Sequence, residues 1–401
     1  MTGIEYRTLY DRAELSEACR VFWRTMVGLP PLGDIDPVPG LEPGRFVGAF
    51  ADGRIVGGSD SYTSWLTVPG GKRVSAAAVT HVGVLPTHTR RGIMRTLITD
   101  QLADFARRGE AVATLCPSEA VLYGRFGFGP ATTHATARVH RSVARLRDEV
   151  QADDRIRLVD QYDARDVLSR IYDTAGWTGS IKRPDGWWLL CHLVQQAQPI
   201  KPYRAVYGPP GAEEGFVDYR PTHPAEWLHG HERTVVVDDF VAHTPAAHAG
   251  LLRHLLSLDL VDVLEFVSLP PDDLLPTLFT DLRAVRDRQL HDELWIRLVD
   301  VPAALSSRVY RPGHTVVIDV CDPLLPANSG RYEVSGAGAA RTQRPAGIAA
   351  DVGALARVYL GGARWRHLVR AGLAVELVPG SVEAADELFS TTDAPYCGTP
   401  F

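Results

Sequence analysis

The chain has no cysteine pairing to offer. Its five cysteines, Cys19, Cys116, Cys191, Cys321 and Cys397, are scattered and odd in number, with no CxxC among them. That excludes a disulfide framework and a tetrahedral zinc site, and points to reduced thiols in a cytoplasm. Fourteen histidines are present, among them His88, His134, His140, His229 and His231. None stands in an HExxH, so they read as surface or packing residues and no metal is implied. There is no GxSxG of a hydrolase, no GxxxxGK[ST] and no GxGxxG. No apolar run is long enough to span a bilayer. The start, Met1 to Tyr6, lacks the apolar core of a signal peptide. A basic excess is also missing: 42 basic against 48 acidic side chains leave −6, which argues against a nucleic-acid partner.

What is there is an ordinary globular composition in 401 residues, enough for two or three domains. Arg45–Phe50 and Ile55–Gly58 flank Asp52-Gly53, a hairpin signal. Ser75–Val84 reads as a further strand. Ile93, Leu97, Ile98, Leu102 and Phe105 give one apolar face to a helix from Gly92 to Arg107. Ala111–Cys116 is a short buried strand, and Ser118 is the expected N-cap of the next helix.

The middle of the chain echoes this plan. Tyr203–Tyr207 and Gly215–Tyr219 form another hairpin, and Arg233–Phe240 the next strand. Gly250–Leu256 repeats the pattern of Gly92–Ile98 at an offset of 158 residues, 92 against 250. A fixed offset of this kind is the mark of a duplicated unit; two unrelated amphipathic helices share the spacing too. The second copy has His248-Ala249 where the first has Arg90-Arg91. Beyond Leu294 the texture changes to a mixed α/β unit. Thr315–Val320 is a strand, Ser329–Ala339 is Gly-rich, and Val352–Val369 is a helix broken at Gly361-Gly362. Val382–Phe389 is a last short helix. Trp187, Trp188 and Trp365 read as core anchors.

The chemistry concentrates in Val82-Gly83-Val84-Leu85-Pro86-Thr87-His88-Thr89-Arg90-Arg91-Gly92-Ile93-Met94-Arg95. A strand enters a loop with two arginines, and a glycine opens a helix. The unpaired amides of a helix's first turn bind anions, and a residue without Cβ lets a phosphate approach. Arginine adds charge-assisted bonds. The segment therefore reads as a pyrophosphate cradle, or as a solvated basic helix start.

This segment resembles the pyrophosphate loop of the GNAT acetyltransferases, usually [QR]-x-x-G-x-[GA], with departures at Thr89 and Met94. Together with Ser118-Glu119-Ala120-Val121-Leu122-Tyr123 and the run Gly124-Arg125-Phe126-Gly127-Phe128-Gly129, it is more similar to the Eis (enhanced intracellular survival) family, over essentially the whole chain. The resemblance implies an α/β fold with a GNAT domain (1–150), a second, degenerate GNAT-like domain (151–293) and a sterol-carrier-like α/β domain (294–401). It implies acetyl-CoA as co-substrate. Val82, Gly83 and Val84 would meet the pantetheine arm, and Arg90, Arg91, Gly92, Ile93, Met94 and Arg95 the pyrophosphate. Ser118 and Glu119 would lie beside the thioester.

By the same resemblance Tyr123 would be the general acid and the terminal carboxylate of Phe401 the base. A phenol near pKa 10 is protonated at neutral pH and able to donate to a leaving thiolate. The chain's end, Ala394 to Phe401, carries no charged side chain and finishes on an aromatic ring. Asp34, Asp36, Asp292 and Glu293 are candidates for an acidic pocket, or solvated acids. Pro400 stands where some family members carry an acid. Implied acceptors are polycationic amines such as aminoglycosides, or lysine side chains, and the implied assembly is a homo-oligomer, a hexamer built from trimers. The competing reading is a non-catalytic acyl-CoA or lipid-binding carrier.

Overall fold

The computed structural model describes residues 3–401 except 30–32, 152, 154, 162, 223–226 and 228–231; His229 and His231 lie outside the described residues. The chain divides into two compact units. One comprises Met1–Thr132, Trp177–Leu190 and Asp292–Phe401; the other Thr133–Gly176 and Cys191–His291.

The first unit opens with β1 (Glu5–Thr8), α1 (Arg12–Thr25), β2 (Val47–Ala51), β3 (Arg54–Thr67) and β4 (Arg73–Val84). Asp11 caps α1 through the amides of Ala13 and Glu14. β2 and β3 form the expected hairpin, Ala51 opposite Arg54. Its turn places Asp52 at φ 50° and Gly53 at φ 72°. Two left-handed residues give a turn whose twist matches the strands, which is why Asp-Gly stands there. Next come α2 (Ile93–Arg107), β5 (Val112–Leu115), α3 (Ala120–Tyr123) and β6 (Gly129–Pro130). The helix after β5 has Glu119, not Ser118, at its N-cap position, and no side chain caps it.

The second unit carries β7 (Thr133–His140), β8 (Ile156–Leu158), α4 (Ala164–Asp173), β9 (Tyr203–Tyr207), β10 (Gly215–Pro221), β11 (Thr234–Ala242), α6 (Pro245–Ser257), β12 (Val263–Leu269) and β13 (Val285–Asp292); α5 (Asp185–Ala197), before β9, has its first half assigned to the first unit and its second half to the second. Its sheet runs β13-β7-β12-β11-β10-β9-β8. α6 starts at Pro245, not at Gly250. Helix start aligns with helix start at 93 against 245, so Gly92 and Gly250 are not equivalent. Gly250 sits inside α6, where a Cβ would come within 2.6 Å of the Tyr207 ring.

The chain then returns to the first unit. β14 (Trp295–Leu298) lies antiparallel to β5 and β6, so the first sheet runs β1-β2-β3-β4-β5-β14-β6. The sheets therefore do not follow a division of the chain at 150 and 293. β7 opens the second sheet at Thr133, and β14, from Trp295, completes the first. The two-residue β6 cannot satisfy the edge of β5, and β14 does so. A five-stranded sheet, β17-β16-β15-β18-β19, follows from β15 (Thr315–Cys321), β16 (Gly330–Ser335), β17 (Gly338–Arg341), β18 (Ile348–Asp351) and β19 (Ala374–Glu376). α7 (Val301–Ser307), α8 (Val352–Tyr359), α9 (Trp365–Arg370) and α10 (Ser381–Leu388) complete it. The break expected at Gly361-Gly362 separates α8 from α9. Trp365 is fully buried and is a core anchor.

One buried ion pair joins β14 to the end of β15. The Arg297 guanidinium donates to both Asp322 oxygens at 2.6 and 2.7 Å, and to the carbonyls of Phe126 at 2.7 Å and Leu298 at 2.6 Å. Asp322 also accepts from Asn328 Nδ2 at 2.8 Å. Both side chains are fully buried. Removing one partner of such a pair strands the other charge in a dry interior. Asp322→Ala is expected to cost about 3–5 kcal/mol in chemical denaturation, and Arg297→Met with Asp322→Leu much less.

Candidate active site

The site begins where β4 and β5 part. They pair in parallel only from Ala76–Ala78 against Val112–Thr114. β4 then continues to Val84 on β3 alone, with Gly58 opposite Gly83 and Gly57 opposite Val84, while β5 ends at Leu115. The edge of β4 that carries Val82, Gly83 and Val84 is thus released from β5, and its backbone groups face the gap. A bulge helps open it: Gly58 pairs Gly83 and Asp60 pairs Thr80, so His81 and Val82 together oppose Ser59. His81 takes φ 50°. A bulge of this kind adds twist and re-aims side chains. Val82 packs among the residues beneath α2. Gly83 faces α1, where a Cβ would come within 2.5 Å of Thr25 Oγ1.

After β4 the loop places Arg90 at φ 61° and Gly92 at φ 80°. No side chain caps α2. Space does not demand glycine at 92, since a Cβ there would meet nothing within 4 Å; the left-handed backbone does. Ile93 is buried and Met94 half-buried against the core. They offer amides, not side chains. Arg90, Arg91 and Arg95 are exposed. An uncapped helix of 15 residues flanked by three exposed guanidinium groups suits a pyrophosphate, and the residues present fit acetyl-CoA.

The second unit lacks this arrangement. Thr244 caps α6 by accepting from the Ala247 amide, and Pro245 removes a further donor. Beyond its pairing with β12, β11 carries Phe240, whose ring lies 5.7 Å from that of Phe266 and 5.0 Å from that of His248. A buried aromatic cluster stands where the first unit has a gap. His248 lies inside α6 and pairs with Asp273 at 3.3 Å, so it is no counterpart of Arg90.

At the far end of the gap, Ser118 and Glu119 are exposed and Tyr123 is buried. The Tyr123 ring meets Phe128 edge-on at 6.1 Å. Burial, with the Glu119 charge a smaller cause, pushes its phenol up to about 12. Among the described residues no side chain hydrogen-bonds its hydroxyl.

The chain's last residues run into the same unit. Cys397, Gly398 and Thr399 are buried. Glu293 accepts from the amides of Cys397 at 2.9 Å and Gly398 at 2.8 Å, and from Thr132 Oγ1 at 2.9 Å. From the other side the buried Arg183 donates to Gly398 O at 2.5 Å and Thr399 Oγ1 at 2.9 Å. Trp187 Nε1 donates to Pro400 O at 2.9 Å. Phe401 then lays its ring edge-on against Tyr62 of β3 at 5.8 Å. Its amide lies against Cys116, just past β5. Burial pushes the Glu293 carboxyl up, while the two amides, Thr132 and Arg183 act in the opposite sense.

This corrects several expectations. Glu293 holds the chain's end and does not line an acidic pocket. Asp36 pairs with Arg12 and accepts from the Val38 amide; Asp292 accepts from Trp295 Nε1 at 2.7 Å. Trp187 clamps the terminal segment and is no core anchor. The fold brings Val82–Val84 and Arg90–Arg95 along one strand and helix start, and sets Phe401 beside Cys116. The Glu293–Arg183 clamp escaped the sequence reading because its partners are 110 residues apart, 183 against 293.

Known proteins share this plan. Residues 22–131 and 179–298 each match an acetyltransferase (GNAT) domain family, and residues 301–398 a sterol carrier protein domain. An uncharacterized N-acetyltransferase of Streptomyces avermitilis is 36% identical, covering 90% of this chain and 89% of its own. The N-acetyltransferase Eis of Mycobacterium tuberculosis is 32% identical, with 87% and 84% covered. The crystal structure of Eis1 from Mycobacterium abscessus is 51% identical and superposes with a TM-score of 0.92 over 100% of both chains.

Replacing Arg90 and Arg91 together with alanine is expected to weaken acetyl-CoA binding, each lost contact being worth about 1.5–3 kcal/mol. Calorimetry checks both the affinity and the stoichiometry, expected at one per chain because α6 is capped by its own threonine. Two bound per chain would contradict that account.

Proposed function

This chain belongs to the Eis-type N-acetyltransferases of the GNAT superfamily, and from that membership we propose that it acetylates amines of polycationic small molecules, or lysine side chains, by direct transfer. The observation that carries the proposal is the threading of the C-terminal segment, held by Glu293 and Arg183, to the exit of β5. Acetyl-CoA supplies an activated acyl group. Arg90, Arg91, Arg95 and the α2 amides hold its pyrophosphate, and Val82–Val84 its pantetheine arm. Ser118 and Glu119 line the thioester end.

Tyr123 gives a proton to the departing thiolate. Its raised pKa keeps the phenol protonated across the working range. The Phe401 carboxylate faces the incoming amine and takes its proton. A free α-carboxylate is a weak base, near pKa 3.5, so it takes the proton directly or by way of water.

Position matters more than side chain in this reading. A few residues added after Phe401 are expected to abolish turnover while leaving acetyl-CoA binding intact. An extended chain that keeps its rate would sink the carboxylate's role. Tyr123→Phe should lower kcat by about 10²–10⁴-fold without weakening cofactor binding, measured by thiol release. Because the acid form of Tyr123 is needed and its pKa is about 12, activity is lost through Tyr123 only as pH rises through that value. A tyrosine-dependent fall centred near pH 10 would place the phenol in an ordinary environment.

A further inference from the structure

Two polar residues lie buried in the middle of the first sheet, and the reaction as described does not use them. Asp60 of β3 is 2% exposed and His81 of β4 9%. Asp60 Oδ2 stands 3.3 Å from His81 Nδ1. Among the described residues Asp60 Oδ1 is buried without a hydrogen-bond partner, and the Ser61 amide acts on the carboxylate. Burying an acid and an imidazole together is costly unless they serve each other.

Their place is telling. His81 is the left-handed residue of the β4 bulge, immediately before Val82, Gly83 and Val84. If the cofactor's pyrophosphate sits at Arg90–Arg95 and its arm runs back along those three residues, His81 is the next residue towards the thioester. Its ring faces the side of the sheet opposite α2, meeting Phe22 edge-on at 5.0 Å and Trp23 at 5.6 Å from α1, and Phe46 at 6.4 Å. Tyr62, which holds the Phe401 ring, is two residues from Asp60 on the same strand and so on the same face, about 7 Å along. The bulge histidine, its carboxylate and the chain's last residue therefore share one face of the sheet.

We propose that His81, oriented by Asp60, is a catalytic proton acceptor for the acceptor amine. This deepens the transferase reading and rests on it. Asp60 holds the Nδ1–H, which fixes the tautomer and leaves Nε2 with its lone pair, the logic of an Asp–His pair. The acceptor arrives as an ammonium ion. Its first proton passes, directly or by way of the Phe401 carboxylate, to His81 Nε2, and the resulting imidazolium is balanced by Asp60. The amine lone pair then forms the nitrogen–acyl bond as the carbon–sulfur bond breaks. The sulfur takes the Tyr123 proton. The second proton leaving nitrogen restores Tyr123, and the one on His81 returns to water. No oxidant or further reactant is needed. Among the described residues, the Cys19 thiol of α1, pushed up by burial, and Glu42, held by Arg45 and Thr63, act on the Asp60 charge.

His81→Asn is the test, because asparagine tolerates a left-handed backbone better than most residues. Thiol release is followed with an alkylamine acceptor at about pH 7 and about pH 10, below and near the pKa of such amines. The variant is expected to lose at least about tenfold in kcat at the lower pH and to recover most of that at the higher, where solvent has already deprotonated the amine. Its acetyl-CoA dissociation constant should match the native one. A purely structural role predicts equal losses at both pH values; that result, or no loss, overturns the proposal. If His81→Asn does not fold by thermal unfolding, Asp60→Asn carries the same test, since it removes the orienting charge and little volume. Absence of thiol release from the native chain with every amine defeats the transferase reading itself. A native chain that turns over alongside an equally active His81→Asn defeats only the dyad.

Discussion

The carboxylate of Glu293 holds together what the rest of the first unit uses. It lies just before β14, so the strand that completes the first sheet also brings an anion to the end of the chain. Two amides that a loose terminus would leave to water are satisfied by one buried group. Arg183 meets the same segment from the other side and stacks over Trp187 and Trp188 at 4.8 and 5.3 Å. A peptide gripped between opposite buried charges cannot fray without stranding both. Chain ends are ordinarily mobile; this one is held by hydrogen bonds with Glu293, Arg183 and Trp187. Its neighbour Gly179, at φ 100°, comes so close that a Cβ would sit 2.7 Å from Tyr396 O.

The gap between β4 and β5 depends on a second constraint. A sheet closes its ladders wherever it can, because unpaired backbone groups in an apolar interior are costly. Here the ladder stops after three residue pairs. The bulge at His81 twists β4 away, while β14 pairs with the opposite edge of β5 and leaves the gap open. The second unit parts its central strands too, but packs Phe240, Phe266 and His248 there and caps its helix with Thr244. The same frame thus leaves a gap in one copy and fills it by packing in the other, and the difference lies in side chains at the gap and the helix start.

Local patterns were legible because they depend on neighbours in sequence. Asp52-Gly53 specified a left-handed turn whatever lay around it. The apolar spacing of α2 and the Arg90–Arg95 segment announced a helix opened by a glycine beside arginines, and Gly361-Gly362 marked the break between α8 and α9. The resemblance to the Eis family, resting on the Tyr123–Gly129 run, supplied the order of the three domains. Helix register misled once: Gly250 matched Gly92 by spacing, but α6 is entered through Thr244-Pro245, and a glycine chosen for close packing on Tyr207 mimicked one chosen for backbone conformation.

By itself, then, the amino-acid order determined the Asp52-Gly53 hairpin, the helix that opens at Gly92 beside its arginines, the break at Gly361-Gly362 and the apolar character of the terminus, since propensity, periodicity and turn chemistry act over a few residues. Tertiary structure decided which sheet each strand joins, as with β7 and β14, whose edges are matched across more than a hundred residues. It also decided what the polar residues inside strands are for. Asp60 between Ser59 and Ser61, His81 after Thr80 and Glu293 after Asp292 carry no sign of their partners in the residues beside them. Only packing shows that the first two face each other and that the third holds the chain's end, because a buried charge takes its meaning from the partner the fold places beside it.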